Sequence, residues 1–522
     1  MSDDAYYLTT PIYYVNDTPH VGHAYTTLAC DALARFMRLD GRRVKFLTGT
    51  DEHGQKVEKS AEAAGQDPKA FVDRMSEHFR ELTDAMNFSN DDFIRTTEER
   101  HIRSVQQLWR ELQKRDQIYL GSYAGWYSVR DEAYYAESEL IEGPEGAKTA
   151  PTGAPIEWLE EPSYFFKLSE WRKPLLDYYA SGGVVGPETR LNEVRSFVEG
   201  DLRDLSISRT GFKWGVPVPD DPDHVMYVWL DALTNYLSAV GYPDTECEEY
   251  KTFWPVDLHM VGKDILRFHA VYWPAFLMAA GVEPPKRVFA HGWWTNEGQK
   301  ISKSLGNIID PFQLIERYGL DPVRYFLLRE VPFGKDGDFS HRAMIGRMNS
   351  DLANDFGNLV QRVLSMIAKN CEGRVPEMGT LQERDKGLLE KVAELLTDMR
   401  GDYRQQRFHT ALERHMALVG EANRYVDEQA PWALRKSDPE RMRTVLHVLA
   451  EVIRNLAILA QPVMPDSAGR ILDQLTVGVE KRAFKHVWPE ARLAAGTALP
   501  APEPIFPRYA EEEGRESEEA GA

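Results

Sequence analysis

Strand-like and helix-like segments alternate over the first quarter of the chain. Residues 6–10, Tyr-Tyr-Leu-Thr-Thr, are aromatic and β-branched, which predicts a buried strand, and the apolar periodicity from 20 to 37 predicts a helix. Residues 43–47 predict a second strand, and helical patterns follow from 55 to about 115. This alternation predicts an α/β fold with a parallel sheet covered by helices on both faces.

The loops that follow these two strands are the expected place for a ligand. In parallel sheets, ligands bind beyond the carboxyl ends of the strands. Residues 10–19 and 48–54 both occupy that position. We therefore expect side chains with chemical roles in these two loops.

The rest of the chain divides into regions that differ in composition and hydrophobic periodicity. Residues 116–223 are rich in Gly, Pro and aromatic clusters, and the α/β pattern resumes after them, which predicts an inserted domain. Long helical periodicity from about 344 to 472 predicts a helical bundle. The predicted domains are an α/β domain over 1–115 and 224–310, an inserted connective domain over 116–223, a linker with the end of the α/β half over 311–345, a helical domain over 346–480, and a C-terminal extension with an acidic tail over 481–522.

Composition narrows the class of protein. The three cysteines, Cys30, Cys247 and Cys371, lie far apart without a Cys-x-x-Cys pair, which favours a reducing compartment. The N-terminus lacks a basic, apolar leader, and no segment reaches the roughly 18 apolar residues of a membrane span. We predict a cytoplasmic protein without a membrane partner.

Charge gives a weaker signal. The net charge of −20 argues against a nucleic-acid partner, because phosphate binding depends mainly on Lys and Arg. Part of the excess, however, lies in the acidic run 511–519, which is typical of a solvated tail. The net charge therefore leaves open whether a basic face lies elsewhere on the surface.

Two histidines stand at the predicted start of the first helix. In His20-Val21-Gly22-His23 the histidines are three apart, so both rings face the same side of a helix end that favours phosphate. Gly22 lets a ligand approach closely. Taken alone, the pair is more typical of a helix cap or a metal pair.

A lysine–serine segment gives the second signal. Lys300-Ile301-Ser302-Lys303-Ser304 is flanked by Gly298 and Gly306, which indicates a loop with mobile cations and hydroxyl donors for a triphosphate. Taken alone, such a run is usually an exposed loop. The combination with the histidine motif changes this interpretation.

In this order, and separated by an inserted domain, the two motifs resemble the signature pair of class I aminoacyl-tRNA synthetases. The resemblance implies a Rossmann-type catalytic domain that binds ATP with Mg²⁺ and forms an aminoacyl-adenylate. It implies catalytic roles for His20, His23, Lys300 and Lys303, which stabilise the departing pyrophosphate.

Further segments are similar to the methionyl members of this family: Pro11-Ile12-Tyr13-Tyr14-Val15-Asn16, Tyr227-Val228-Trp229-Leu230-Asp231-Ala232 and Val261-Gly262-Lys263-Asp264-Ile265. Trp229, Ala232 and Tyr236 share one helix face, a pattern more often found in a plain core. A thioether, however, is apolar and polarizable and suits an aromatic cage with one hydroxyl. Leu233 replaces a proline that many relatives carry.

The resemblance also implies the site residues. Asp51 pairs with the α-ammonium of methionine. The predicted methionine site comprises Ile12, Tyr14, Asp51, Trp229, Ala232, Leu233, Tyr236, Ile265 and His269. The predicted ATP site comprises Tyr14, Gly22, Gly262, Asp264, His291, Trp294 and Ser302.

In the helical domain the resemblance implies an anticodon-binding site for the sequence CAU. Asn358 and Arg362 are four apart on one face, and Trp432 follows Ala430-Pro431. Alone, these residues are typical of a polar helix face and a core tryptophan. In the family a tryptophan stacks on an unpaired base while Asn and Arg bind base edges. The implied partners are L-methionine, ATP and initiator and elongator tRNA(Met).

The inserted domain departs from many relatives, which bind zinc there through cysteine pairs. Residues 126–132 offer no thiolate, and structural zinc needs four good ligands. We expect no metal, and an aromatic cluster of Trp126, Tyr127, Tyr134 and Tyr135 in its place. The chain also lacks the extra C-terminal module that makes some relatives dimers, so we expect a monomer.

Three alternatives stay open at this point. A synthetase for leucine, isoleucine, valine or cysteine is the nearest, although the first three usually need a large editing insertion and the last uses zinc. A small nucleotidylyltransferase with the same histidine motif would not require the helical domain. A non-catalytic tRNA-binding protein would not require His20, His23, Lys303 and Asp51.

Overall fold

The structure, a computed structural model, describes residues 4–15, 18–131, 133–143, 147–200, 202–300 and 307–510, apart from the side chain of Lys300. The polypeptide packs as two units, residues 1–30 with 43–292 and residues 31–42 with 293–522. No helix in the described ranges is both long enough and apolar enough to span a bilayer.

A seven-stranded parallel sheet forms the centre of the first unit. Its strand order is β10-β16-β15-β1-β3-β2, with β4 also paired to β3. The fully buried side chains of Tyr7, Trp109 and Trp273 belong to the core that packs on this sheet. The predicted α/β class with a parallel Rossmann-like sheet is confirmed. The strands of this unit are β1 Ala5–Thr9, β2 Tyr13–Tyr14, β3 Arg43–Asp51, β4 Asp92–Arg95, β5 Ile118–Ser128, β6 Ala133–Tyr135, β7 Ile141–Glu142, β8 Lys148–Thr149, β9 Glu157–Phe166, β10 Val185–Gly186, β11 Leu205–Ser206, β12 Ser208–Arg209, β13 Pro217–Val218, β14 Asp221–Met226, β15 Leu258–Gly262 and β16 Val288–His291.

Helices surround the sheet in the pattern that alternating elements predict. Helix α1 extends into the part of the chain assigned to the second unit. A π-helix over Phe268–Tyr272 runs directly into α10. The helices are α1 Val21–Leu39, α2 Gln55–Ala63, α3 Pro68–Ala85, α4 Glu99–Lys114, α5 Arg172–Ala180, α6 Glu188–Glu199, α7 Val228–Leu233, α8 Asn235–Ser238, α9 Glu248–Phe253 and α10 Trp273–Ala280.

Antiparallel sheets mark the stretch predicted as an inserted domain. The larger one has the order β11-β9-β5-β6, and smaller ones pair β12-β14-β13 and β7-β8. Within the same stretch, β10 pairs in parallel with β16 of the main sheet. The parallel sheet therefore takes its outermost strand from the stretch 116–223.

Two strand predictions need correction. The sequence ended the second strand at Leu47 and placed 48–54 in a loop, whereas β3 continues to Asp51 because Thr48 to Thr50 pair with β4 and Thr50 and Asp51 with β2. Strand β4 was missed inside the stretch 55–115, read as helical, because its four residues are too few to show a period. Both corrections concern pairing between distant segments.

The second unit is mainly helical. It also contains a three-stranded sheet of order β18-β17-β19, formed by β17 Trp294–Asn296, β18 Gln299–Lys300 and β19 Gly337–Phe339, with two helices between β18 and β19 in the chain. A π-helix over Met348–Gly357 leads into α14. The helices are α11 Pro311–Tyr318, α12 Leu320–Arg329, α13 His341–Arg347, α14 Asn358–Asn370, α15 Glu383–Arg404, α16 Phe408–Gln429, α17 Pro431–Ser437, α18 Pro439–Ala460 and α19 Pro465–Gln474.

Candidate functional site

The histidine pair lies at the N-terminus of α1. The ring centroids of His20 and His23 are 3.9 Å apart. The Gly22 N–H donates to His20 Nδ1 at 3.0 Å, and the His20 N–H donates to His23 Nδ1 at 3.1 Å. In the neutral rings the proton is therefore on Nε2 in both histidines. The pair can offer two N–H donors to a ligand.

Burial and then the neighbouring His20 ring lower the pKa of His23 well below 6.5. Gly22 leaves room for the His20 ring, because a Cβ at this position would lie 2.8 Å from His20 Cε1. A larger residue would displace the ring.

An aromatic wall forms around Trp229 on α7. Its indole stacks on Phe268 with the centroids 3.7 Å apart and the planes at 8°. The ring of Tyr14, on β2, meets it edge-on at 6.3 Å. Trp229 Nε1 is buried and has no hydrogen-bond partner within the described ranges. This wall suits a polarizable apolar group.

A buried hydrogen bond joins two predicted site residues. The Tyr236 hydroxyl lies 2.7 Å from His269 Nε2, and His269 Nδ1 lies 3.0 Å from the Ile265 carbonyl. A carbonyl only accepts, so Nδ1 carries the proton and the Tyr236 O–H donates to Nε2. Burial lowers the pKa of His269 to about 4, which keeps the ring neutral.

The buried Asp51 is the last residue of β3. Tyr14 pairs with it across β2 and β3, and the Val15 N–H donates to the Asp51 carbonyl at 3.4 Å. The next residue, Glu52, accepts from Arg95 Nε at 2.6 Å and from the Thr97 hydroxyl at 2.6 Å. Glu52 is thus committed to an internal ion pair.

Two strands bring other predicted residues together. Gly262 at the end of β15 pairs with His291 at the end of β16. His291 Nε2 lies 2.7 Å from the Thr26 hydroxyl, and its Nδ1 donates to the Gly292 carbonyl. Burial lowers the pKa of His291. Of the remaining predicted residues of the first unit, Ala232 and Leu233 are buried, Ile12 and Ile265 are half-buried, and Asp264 is exposed.

One predicted residue belongs to the second unit, and others are not described. Trp294 belongs to the second unit, where its ring packs against Phe326 at 5.9 Å. Ser302, Lys303 and the side chain of Lys300 are outside the described residues. Lys300 is the last residue of β18 and pairs with Thr295, so its backbone lies in a strand and not in the predicted loop.

In the second unit an arginine and a tryptophan share one surface. Trp432, on α17, is 52% exposed. The guanidinium carbon of Arg362, on α14, lies 5.8 Å from its ring centroid, and Arg362 Nη2 pairs with Asp427 at 2.8 Å. Asn358 is exposed one turn before Arg362 on the same helix. An exposed ring beside polar side chains is suited to stacking on a base.

The predicted aromatic cluster of the inserted stretch takes a modified form. Tyr127 pairs with Tyr134 across β5 and β6, and their rings are 5.0 Å apart. Trp126 instead meets Trp158 edge-on at 5.3 Å. Among the described residues, no group of three or more His, Cys, Asp and Glu side chains is arranged to hold a metal ion.

Sequence reasoning missed three supporting residues of the first unit. Phe268 stacks on Trp229, His259 packs on Tyr236 with the centroids 4.1 Å apart, and Asp231 bonds to two histidines. Phe268 is next to the predicted site residue His269 in the sequence, and this position could have identified it. The other two depend on contacts between distant segments.

Comparisons with known proteins agree with this geometry. Residues 6–364 match the family model described as tRNA synthetases class I (M), and residues 375–520 match the anticodon binding domain of methionyl tRNA ligase. The methionine–tRNA ligase of Mesorhizobium japonicum is 57% identical over 515 residues, which are 98% of this chain and 99% of the relative. That of Mycobacterium bovis is 55% identical over 511 residues, or 97% and 98%.

A solved structure gives the same result. Mycobacterium tuberculosis methionyl-tRNA synthetase in complex with methionyl-adenylate superposes with a TM-score of 0.94 at 54% identity, over 97% of this chain and 100% of the other. The resemblance stated from the sequence is confirmed. The chain belongs to the methionine–tRNA ligase family of class I aminoacyl-tRNA synthetases.

Proposed function

We propose that residues 1–115 and 224–310 bind and activate methionine and that the helical region 346–480 reads the anticodon of tRNA(Met). The activity of the family is methionine–tRNA ligation. Methionine and ATP give methionyl-adenylate and pyrophosphate, and the methionyl group then passes to the 3′ end of tRNA(Met), for translation initiation and elongation. The relative from M. tuberculosis was solved with methionyl-adenylate, the intermediate of this reaction.

The observation that carries the proposal is the Tyr236–His269 hydrogen bond in the pocket walled by Trp229. The thioether of methionine gains from aromatic contact and from one oriented hydroxyl dipole. The Asp51 carboxylate, at the end of β3, pairs with the α-ammonium. The rest of the pocket is formed by Ile12, Tyr14, Ala232, Leu233, Ile265 and His269.

The histidine pair acts on the phosphates of ATP. The methionine carboxylate attacks the α-phosphorus in line, and the bond to the pyrophosphate oxygen breaks. Nε2–H donors of His20 and His23 stabilise the charge that develops on the leaving pyrophosphate. Lys300 and Lys303 add positive charge. The nucleotide contacts are completed by Tyr14, Gly22, Gly262, Asp264, His291, Trp294 and Ser302.

Anticodon reading uses the exposed face of the helical region. Trp432 stacks on an unpaired base of CAU, and Asn358 and Arg362 hydrogen-bond to base edges. Specificity for the amino acid and specificity for the tRNA then depend on different parts of the chain. Both initiator and elongator tRNA(Met) are substrates.

The remaining assignments concern metals, assembly and location. Mg²⁺ accompanies ATP, since this ion is usually held by substrate phosphates and water with one or two carboxylates. The inserted stretch is zinc-free, since none of the three cysteines lies within 116–223. The enzyme acts as a monomer in the cytoplasm.

The test is ATP–pyrophosphate exchange by the full chain with each amino acid in turn. Methionine is expected to give by far the strongest stimulation, and Lys303→Ala is expected to slow the exchange itself. Stimulation by leucine and not by methionine would contradict the proposed pocket. Exchange with no amino acid would favour a tRNA-binding protein without synthetase activity.

A further inference from the structure

A buried carboxylate joins three elements beside the methionine pocket. Asp231 is fully buried on α7, between Trp229 and Ala232. Its Oδ2 lies 2.7 Å from His53 Nδ1, and its Oδ1 lies 2.7 Å from His101 Nε2. His53 follows β3 and His101 belongs to α4, so one carboxylate connects three elements of the first unit.

We propose that Asp231 is a positioning residue for methionine, which fixes the Trp229 wall relative to Asp51 through its hydrogen bond to His53. The proposal rests on the roles proposed above for Trp229 and Asp51. Neither Asp231 nor the two histidines needs to touch the substrate.

The separation between Asp51 and Trp229 is important for the binding of methionine. The methionine side chain is unbranched and flexible, so one low-energy conformation must place the ammonium on Asp51 and the thioether against the aromatic wall at the same time. Asp51 and Trp229 must therefore be held at a separation that this conformation can span. Asp51 is two residues before His53, and Trp229 is two residues before Asp231. The His53–Asp231 bond therefore ties the segments that carry the two halves of the amino-acid site.

The segment after Asp51 is also held from its other side. The fully buried Glu52 accepts two hydrogen bonds from Arg95, and the Trp214 indole donates to the Glu52 carbonyl at 2.6 Å. These bonds fix the segment to β4 and to the loop that contains Trp214, but not to α7. The His53–Asp231 hydrogen bond does connect this segment to α7.

The electrostatic environment keeps Asp231 charged. Burial alone would raise its pKa, but His53 and His101 outweigh this effect and hold the pKa at about 2. Hydrogen bonds to an ionised group are stronger and shorter than neutral ones. A neutral amide at this position would retain the shape but weaken the connection to His53.

The experiment measures methionine-dependent ATP–pyrophosphate exchange for the full-length Asp231→Asn and His53→Ala variants. For each variant we expect KM for methionine to rise about tenfold, the size of a lost hydrogen bond to a charged group, with KM for ATP and kcat within about twofold of wild type. Because the two residues act through one bond, the double variant is expected to be no worse than the more impaired single variant.

Asp257→Asn is the matched control. This carboxylate, just before β15 in the same unit, accepts from the Tyr7 N–H and pairs with Lys286, and among the described residues it has no hydrogen bond or ion pair to α7. Asp257→Asn is expected to lower the thermal midpoint without changing KM for methionine. If Asp231→Asn fails to fold, His53→Ala still provides the test.

Two results would overturn the proposal. One is a fall in thermal midpoint or kcat with KM for methionine unchanged in both variants, and the other is additive effects in the double variant. Asp51→Asn, measured in parallel, distinguishes a failure of the positioning role from a failure of the proposed ammonium site. If it raises KM while the Asp231 and His53 variants do not, only the positioning role fails. If it has no effect, the proposed ammonium site fails and the positioning role fails with it.

Discussion

At the scale of single residues, the tautomer of His269 decides how the pocket presents its hydroxyl. The Ile265 carbonyl fixes the proton on Nδ1, so Nε2 accepts and the Tyr236 O–H points at the imidazole. The oxygen lone pairs of Tyr236 are then the groups left to interact with a ligand. The neutrality of His269, with its pKa lowered to about 4 by burial, is a condition of this arrangement.

Tyr236→Phe tests this arrangement. The substitution leaves His269 Nε2 buried without its donor, which typically costs about 1–3 kcal/mol. We expect KM for methionine to rise roughly tenfold while KM for ATP stays close to wild type, measured by pyrophosphate exchange.

Tyr178→Phe is the control for removal of a buried tyrosine hydroxyl. The Tyr178 hydroxyl donates to the Pro285 carbonyl at 2.6 Å, in the same unit but outside the proposed site. Its loss is expected to leave KM for methionine unchanged. Equal kinetic effects of the two substitutions would assign the Tyr236 effect to general loosening of the fold.

At the scale of elements, the turn before α17 sets the position of Trp432. Ala430 ends α16 in the left-handed conformation, with φ 44° and ψ 58°, and Pro431 then starts α17. An L-residue with a Cβ pays about 1–2 kcal/mol in this region. The connection is therefore strained at one alanine.

Ala430→Gly is expected to raise the thermal midpoint or leave it unchanged, because glycine adopts this conformation without strain. Ala433→Gly, the same substitution at an exposed position inside α17, is expected to lower stability by about 1 kcal/mol. Differential scanning calorimetry compares the two. A larger loss at 430 than at 433 would contradict the conformation described for Ala430.

Some helical elements could be predicted from the sequence and others could not. The spacing of Trp229, Ala232 and Tyr236 predicted one helical face, and all three are buried although the helix is interrupted at Thr234, between α7 and α8. The spacing succeeded because local periodicity carries most of the information about a helix. The π-helix that presents Phe268 has no comparable local signature.

Contacts between distant segments set the limit of sequence reasoning. Asp231 meets His53 and His101 across 178 and 130 residues, and no local pattern encodes such pairs. The extension of β3 to Asp51 likewise depends on its neighbours β2 and β4. The proposed roles of the site residues came instead from the resemblance to a family.

At the scale of the whole molecule, buried neutral histidines make stability depend on pH. Burial lowers the pKa of His415, in the second unit, to about 4, while an unfolded histidine titrates near 6.5. Between these values the unfolded state binds the additional proton, so stability is present above pH 6.5 and is lost as the pH falls toward 4. The loss between pH 7 and pH 5 is about 2 kcal/mol for this residue.

We therefore expect the thermal midpoint to fall from pH 7 to pH 5, and His415→Gln to make that fall smaller. His78→Gln is the control, because His78 is exposed on α3 and paired only with Glu81 among the contacts described. It is expected to leave the pH dependence unchanged. Identical pH profiles for wild type and His415→Gln would show that His415 does not bind its proton on unfolding.

Substitutions in the two units are expected to impair different steps, tRNA binding or amino-acid activation. Trp432→Ala is expected to raise KM for tRNA roughly tenfold or more, because base stacking on an aromatic ring is worth about 1–3 kcal/mol. Pyrophosphate exchange, which needs no tRNA, is expected to stay near wild type. Loss of exchange in this variant would show that Trp432 supports the fold and not anticodon reading.

In the proposed site, Asp51 recognises the ammonium of a methionine whose thioether lies against the aromatic wall. The most direct test is calorimetric binding of L-methionine and of its desamino analogue, 4-(methylsulfanyl)butanoate, to wild type and Asp51→Asn. Wild type is expected to prefer L-methionine at least about tenfold, and Asp51→Asn to lose most of that preference while binding the analogue as wild type does. An Asp51→Asn variant that keeps the wild-type preference would contradict the account.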